Sequence, residues 1–180
     1  MIYIFLADGF EEIEALTPVD VFRRANLPTT TVSIMESLTV MGSHHIPVVA
    51  DKLFAEVDLS DADLLLLPGG MPGTKHLGEC KELCDAVASH ASAGKPTAAI
   101  CAAPSVLGKL GLLTGKEAIC YPGFEDALVG ATVSEKKVVR DGNIVTAAGM
   151  GVALDFALEC LRLLGHTDDA AAIRKGVIAE

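Results

Sequence analysis

The chain has 180 residues, of which 51% are hydrophobic and 4% aromatic, and it carries a formal net charge of −10. This length predicts a single domain, residues 1–180, with a core large enough to fold without disulfide bonds. The acidic balance excludes nucleic acid and anionic membrane surfaces as general partners, because both are polyanionic.

The cysteines and the amino-terminal segment indicate a compartment. The five cysteines are an odd number and show no paired spacing, which favours a reduced, cytoplasmic protein. Residues 1–7 are apolar but lack a basic start and are too short for a signal peptide. No apolar run approaches the length of a membrane span, so we expect no membrane partner.

Strand-like and helix-like segments alternate along the chain. Buried or β-branched runs predict strands at residues 2–7, 29–35, 63–67, 97–100, 117–120, 137–140 and 143–147. Apolar periodicity predicts helices at residues 11–25, 79–93, 152–164 and 168–175, a brief helix ending at 129, and another opening at 102–104. Residues 38–50 are predicted to form a small hairpin or an irregular arm, and Pro18 predicts a kink or a break in the first helix. This alternation predicts an α/β fold with a largely parallel central sheet and helices on both faces.

Three of the predicted strand ends carry chemically notable residues. They are residues 8–14 after the first strand, Gly69 and Gly70 after the leucine strand, and Cys101 after strand 97–100. In parallel sheets, ligand sites lie beyond the carboxyl ends of the strands. We therefore expect these three segments to meet at one edge of the sheet.

Cys101 lies where a buried strand turns sharply into a helical pattern that opens with Ala102 and Pro104. This strand–turn–helix pattern is typical of a nucleophile elbow, in which the side chain stands above the sheet edge over backbone N–H groups. The positive end of the helix dipole would lower the pKa of a thiol placed there. The alternative is a small buried cysteine that merely ends a strand.

Three acidic residues lie in the first turns of the first predicted helix. Glu11 and Glu12 are interpreted as a solvated helix start, where acidic side chains suit the dipole. Glu14 is flanked by Ile13 and Ala15, so we expect it to be partly buried. A carboxyl group next to a thiolate tends to stay protonated, and it could donate a hydrogen bond to sulfur or shuttle a proton.

The segment Pro68, Gly69 and Gly70 allows three interpretations. A phosphate loop is one, but the Walker pattern is absent. A plain turn is the second. In the third, backbone N–H groups approach a substrate oxygen and form an oxyanion site together with the amide of Ala102. We prefer the third interpretation only if Cys101 is the nucleophile.

The sequence shows no metal or cofactor site. The histidine pair at residues 44–45 has no third ligand nearby, and Cys80 and Cys84 supply only two. The GxGxxG fingerprint of dinucleotide binding is absent, so no cofactor is predicted. Cys120 and Cys160 have no polar neighbours in sequence and are assigned to the core.

Several longer motifs together resemble the ThiJ/PfpI superfamily, within it the branch of the Parkinson's-linked "DJ-one" protein. The resemblance runs nearly from end to end and is carried by residues 8–14, 18–25, 67–70, 99–104 and 155–158. It implies a flavodoxin-like three-layer sandwich that usually forms a symmetric homodimer. Residues 18–24 could supply a dimer contact through Val21 and Phe22, and the alternative is an ordinary amphipathic helix of a monomer.

The resemblance also implies a site and a set of activities. The family's conserved cysteine and its hydrogen-bonded glutamic acid match Cys101 and Glu14, and its oxyanion donors match the amides of Gly70 and Ala102. Activities of this branch are cofactor-free conversion of methylglyoxal to lactate, repair of early glycated adducts, holdase chaperoning and oxidative-stress sensing. An older label of thiazole monophosphate biosynthesis is not supported by the sequence.

This chain departs from the family at several positions near the cysteine. Relatives with glyoxalase activity often carry a histidine where Tyr121 stands, so an imidazole base is excluded there. Ala102 replaces the histidine that follows the cysteine in the protease branch, which argues against peptidase activity. His44 falls where some relatives have an arginine that lines the pocket at the dimer interface, and it could supply a titratable group from the partner subunit.

From these residues we expect a cofactor-independent cysteine enzyme acting on 2-oxoaldehydes or glycated adducts. Cys101 would be the nucleophile, Glu14 the proton carrier, and Gly69, Gly70 and Ala102 would line the oxyanion pocket. The alternatives are a non-catalytic cysteine sensor of oxidative stress and a chaperone.

Overall fold

A computed structural model describes residues 1–179 and shows the predicted alternation of strands and helices. The strands are β1 (Ile2–Leu6), β2 (Thr29–Ser33), β3 (Thr39–Met41), β4 (Pro47–Val49), β5 (Lys52–Leu53), β6 (Leu64–Leu67), β7 (Thr97–Ile100), β8 (Glu117–Ala118), β9 (Thr132–Val133), β10 (Val138–Asp141) and β11 (Ile144–Ala147). The helices are α1 (Glu12–Arg24), α2 (Gly73–Glu79), α3 (Lys81–Ser92), α4 (Pro104–Lys109), α5 (Ala153–Leu163) and α6 (Thr167–Gly176).

Seven strands form the central sheet in the order β10-β11-β7-β6-β1-β2-β5. All neighbouring strands are parallel except β10 and β11, which form the antiparallel hairpin that Asp141 and Gly142 predict. β3 and β4 form a separate antiparallel pair, which we call the arm (residues 39–49), as predicted. The carboxyl ends of β1, β6, β7 and β11 therefore lie at the same edge.

Helices cover both faces of the sheet, so that the fold has three layers. Ile4 of β1 faces a core cluster that includes Phe22 of α1 and Phe156 of α5. Phe5 points the opposite way, into a second cluster that includes Leu83 of α3. Because successive strand residues alternate between faces, the continuously apolar β1 serves both cores at once. Full burial of each such aromatic side chain contributes roughly 2 kcal/mol.

Helix α1 continues through Pro18, so the predicted break does not occur. Proline has no N–H, which leaves the carbonyl of Glu14 without its usual helical donor. The buried Val19 and Phe22 on the same helix keep it packed against the core. The expected dimer contact is wrong, since Val21 and Phe22 are only 1% and 0% exposed.

Two further expectations differ near the carboxyl edge of the sheet. The helix predicted directly after Cys101 begins only at Pro104 and is six residues long, because residues 101–103 form a turn closed by the Ala103 amide on the Ile100 carbonyl, at 3.0 Å. The strand predicted at 117–120 is confined to β8 and pairs with β9 outside the main sheet. Beyond it the chain bends back toward Cys101.

None of the helices within residues 1–179 combines the length and the apolar character that crossing a membrane would require.

Candidate active site

Cys101 occupies a strained turn at the end of β7. Its φ of 64° lies in the left-handed region, which costs a non-glycine residue on the order of 1–2 kcal/mol. Two backbone hydrogen bonds hold this conformation: the Cys101 amide donates to the Ala147 carbonyl, and its carbonyl accepts from the Tyr121 amide, both at 2.8 Å. The neighbouring strand and the following loop thus fix the nucleophile elbow that the sequence pattern predicts.

Glu14 reaches the elbow from the first turns of α1. Its side chain is 1% exposed, and its Oε2 accepts the Gly69 amide at 3.0 Å. A side chain on Gly69 would begin 2.5 Å from Glu14 Oε2 and 2.6 Å from Cys101 Cβ. The absence of a Cβ at Gly69 therefore lets the carboxyl group and the cysteine meet across that position, where the two side chains hydrogen-bond.

The carboxyl group of Glu14 holds its proton unusually tightly. Burial, with a smaller contribution from the charge of Glu11, raises the pKa of Glu14 from 4.5 to about 7. Hydrogen bonds with Cys101 and with the amides of Gly69 and Met150 oppose this rise. The raised pKa agrees with the sequence-based expectation that this carboxyl group tends to stay protonated.

The pKa of the Cys101 thiol is raised, whereas the sequence predicts a lowered value. Burial, together with the adjacent Glu14 carboxylate, raises the pKa of Cys101 to about 12, while the amides of Gly70 and Ala102 lower it. The short α4 begins three residues after the cysteine, so its dipole acts weakly at the sulfur. The prediction that the elbow lowers the pKa of Cys101, so that the thiol is ionised at neutral pH, is therefore wrong.

The two groups behave as one titrating pair. Between a first ionisation near pH 7 at Glu14 and a second near pH 12 at Cys101, the pair holds a single proton. When that proton rests on Glu14, the carboxylate repulsion disappears and the acid O–H donates to sulfur. Nucleophilic attack requires this arrangement of a thiolate facing a carboxylic acid. The raised pKa of Cys101 leaves the proton on sulfur in the resting pair, so the proton must move to Glu14 before attack.

Two backbone amides hydrogen-bond to the Cys101 sulfur. They belong to Gly70, at the turn after β6, and to Ala102, the residue after the nucleophile. Gly70 has a φ of +88°, and a side chain there would clash with the backbone at residues 9–11. The Gly69 amide, also expected in the oxyanion pocket, is instead bound to Glu14.

Tyr121 and Met150 complete the mouth of the site. The Tyr121 side chain is 51% exposed, and its ring lies 3.3 Å from where a side chain on Gly149 would begin. The Met150 amide hydrogen-bonds to the Glu14 carboxyl group. Residues 149–150 were not among the predicted site residues, although they follow β11, whose carboxyl end reaches the same edge.

His44 lies apart from the cysteine. Within residues 1–179 its ring contacts Glu11 and Glu12 at the start of α1 and Ser43 in the turn between β3 and β4. The interpretation of Glu12 as solvated is wrong, because it is only 4% exposed. Burial alone would raise the pKa of Glu12, but hydrogen bonds from His44 and from backbone amides lower it to about 2. The same carboxylates raise the pKa of His44.

The other cysteines are in the positions that the sequence predicts. Cys120 and Cys160 are buried in the two cores. Cys80 and Cys84 are partly buried at the start of α3, and all five thiols are free.

With fold and site described, comparisons with known proteins place the chain in a family. Residues 1–163 match the DJ-1/PfpI family. The protein dj-1beta of Drosophila melanogaster is 36% identical over 177 residues, which cover 97% of this chain and 95% of that protein. A Pyrococcus abyssi protein named a deglycase is 31% identical over 166 residues, covering 91% of this chain and 98% of that protein.

A solved structure extends the likeness to the fold. Oxidized DJ-1 of Toxoplasma gondii superposes with a TM-score of 0.94 at 34% identity, covering 98% of this chain and 97% of that structure. The chain belongs to the DJ-1/PfpI family and has its flavodoxin-like α/β fold. The resemblance inferred from the sequence motifs is confirmed.

The substitution Glu14→Gln should change how stability depends on pH. Between pH 4.5 and about 7 the folded protein retains a proton on Glu14 that the unfolded chain has released. The contribution of Glu14 to stability is therefore full below pH 4.5 and is lost as the pH rises through about 7, on the order of 3 kcal/mol in total.

Urea unfolding of both proteins at about pH 5 and about pH 8 measures this effect. The stability of the wild type relative to Glu14→Gln should fall by that amount between the two pH values, because glutamine does not titrate. A difference that is the same at both values would contradict the raised pKa.

Proposed function

We propose that this protein is a cofactor-independent cysteine enzyme that acts on small 2-oxoaldehydes or on glycated adducts. The observation that carries the proposal is a buried acid with a pKa of about 7 facing a cysteine on a nucleophile elbow. A group that titrates near neutral pH can both give and take a proton under physiological conditions. The relative named a deglycase supports this class of substrate.

Addition of sulfur to the aldehyde is the first step. The Glu14 carboxylate takes the thiol proton as the Cys101 sulfur forms a bond to the aldehyde carbon, and the electron pair of the carbonyl moves onto oxygen. The amides of Gly70 and Ala102, which face the sulfur, are in position to stabilise this oxyanion. Protonation by Glu14 gives a hemithioacetal and leaves the carboxylate.

Isomerisation follows without an external oxidant or reductant. The Glu14 carboxylate removes the proton from the former aldehyde carbon, giving an enediol, and returns it to the neighbouring carbon. The former aldehyde carbon is oxidised to a thioester, and the former ketone carbon is reduced to an alcohol. Water then hydrolyses the thioester to a 2-hydroxy acid and frees the thiol. Overall, one 2-oxoaldehyde and one water molecule give one 2-hydroxy acid.

Replacement of Cys101 by Ser should abolish formation of lactate from methylglyoxal, because the sulfur nucleophile is lost. Glu14→Gln should lower kcat by about 10²-fold or more, the usual contribution of a positioned acid–base group. Cys80→Ser is the matched control, since this free thiol lies on α3 and outside the site. Lactate production at the wild-type rate by Cys101→Ser would rule out the enzyme.

A second function uses the same geometry. The donors that face the sulfur, two amides and the protonated Glu14, suit the oxygen atoms of a cysteine sulfinate. We propose oxidative sensing at Cys101 as the alternative, with hydrogen peroxide as the oxidant. Mass spectrometry after mild peroxide treatment should then show two added oxygens at Cys101 before any other cysteine. Equal oxidation of the three partly buried thiols, Cys80, Cys84 and Cys101, would contradict sensing.

We propose that this chain is a cytoplasmic protein that forms a homodimer. The dimer is supported by a set of exposed apolar side chains on α1 and on the arm: Ile13, Leu16, Met41, Ile46 and Val49. Apolar patches of this kind commonly mark interfaces. Sedimentation equilibrium should give twice the monomer mass, and Leu16→Glu should halve it. A monomeric wild type would contradict the proposal.

A further inference from the structure

A second cluster of polar side chains lies where the arm packs on the start of α1. Glu11 and Glu12 come from the beginning of the helix, and Ser43 and His44 come from the turn between β3 and β4. The two carboxylates and the imidazole each offer a ligand atom, and these atoms lie within 4.8 Å of one another. The sequence showed no third ligand near His44, because the fold brings these residues together across more than 30 positions.

The donor atoms of the cluster have the mutual spacing of a metal coordination shell. His44 Nδ1 lies 3.0 Å from Glu12 Oε2 and 3.5 Å from Glu11 Oε2. Ser43 Oγ lies 3.1 Å from Glu11 Oε2, 3.3 Å from Glu12 Oε2 and 3.1 Å from His44 Nδ1. Ligands at about 2.0 Å from a tetrahedral Zn²⁺ are about 3.3 Å from one another.

The backbone holds the cluster in place independently of these side-chain contacts. The Ser43 amide donates to the Phe10 carbonyl at 2.8 Å, and the His44 amide donates to Glu12 Oε1 at 2.9 Å. A side chain at Gly42 would clash with the Glu12 carboxylate. Oε1 of Glu12 therefore anchors the arm, while Oε2 of the same buried carboxylate faces Ser43 and His44.

The charge of the cluster favours a cation. Two carboxylates converge there in a chain with a net charge of −10, and their ion-pair partner within residues 1–179 is His44. Imidazole nitrogen with carboxylate oxygen is a donor set typical of zinc. This combination of an imidazole, a hydroxyl and two carboxylates from two separate elements distinguishes the cluster from an ordinary acidic helix start.

We propose that the start of α1 and the arm form a binding site for one Zn²⁺ ion, with ligands from Glu11, Glu12, Ser43 and His44. Binding requires the neutral imidazole with its lone pair at Nδ1, so any proton on that nitrogen is released to solvent. The ion replaces hydrogen bonds with coordinate bonds and ties the arm to α1. The site does not use Cys101 or Glu14, so it stands apart from the proposed enzymatic function.

Calorimetric titration with Zn²⁺ at neutral pH tests the site in a matched pair of variants. His44→Asn removes the imidazole ligand, whereas His45→Asn removes a neighbouring imidazole outside the cluster. Asparagine tolerates the positive φ of 62° at position 45. We expect one Zn²⁺ per chain in the wild type and in His45→Asn, and at least about tenfold weaker binding in His44→Asn.

Thiols also bind zinc, so Cys101→Ser is titrated in parallel. Retained binding in Cys101→Ser supports the cluster, and loss of binding there with retention in His44→Asn would overturn the proposal. Absence of binding in the wild type would overturn it as well. Co²⁺ as a spectroscopic probe should show ligand-field bands without sulfur-to-metal charge transfer, whereas a charge-transfer band would assign the metal to a cysteine.

Thermal unfolding separates a lost ligand from a misfolded variant. Without metal, His44→Asn should unfold cooperatively, which shows that it is folded. Zn²⁺ should raise the Tm of the wild type and of His45→Asn but leave that of His44→Asn unchanged, because only binding to the native state stabilises it. An equal rise in all three proteins would overturn the assignment of His44 as a ligand.

Discussion

The close approach of Glu14 to Cys101 across Gly69 is the constraint on which the candidate active site depends. A carboxyl group buried beside a thiol cannot lose its proton easily, because two adjacent anions in a site of low polarity repel each other. The Gly69 amide holds the carboxyl group at 3.0 Å, and the missing side chain of Gly69 leaves the space that both groups occupy. The coupling between the ionisation of Glu14 and that of Cys101 is therefore a consequence of this packing and not of either residue alone.

The parallel sheet makes this approach possible. β1, β6, β7 and β11 all end at one edge, so segments that are far apart in sequence deliver their residues to one place. The strained φ of Cys101 is sustained there by hydrogen bonds to Ala147 and Tyr121. The rigid cores on both faces of the sheet supply the stability that such a strained turn requires.

The sequence predicts the layers and the strand ends well, because both depend on local patterns. Apolar runs specify the buried strands. A buried strand followed by a helix start that contains Pro104 predicts the turn at Cys101. The pKa of the Cys101 thiol cannot be predicted from the sequence, because it depends on the burial of Glu14 and on the weak dipole of the short helix α4. The burial of Glu12 likewise cannot be predicted from the local sequence, since it depends on the arm, which lies more than 30 residues further along the chain.

The identity of the proton carrier follows from the residues at the mouth of the site. Tyr121, with its half-exposed phenol, stands where the family resemblance would place a histidine as a second base. His44 is engaged by Glu11 and Glu12 of its own chain. In the proposed reaction we therefore assign the proton transfer at Cys101 to Glu14, whose raised pKa lies near neutral pH. Catalysis and oxidation at this cysteine therefore require the same protonation state, so the two proposed activities compete for one sulfur atom.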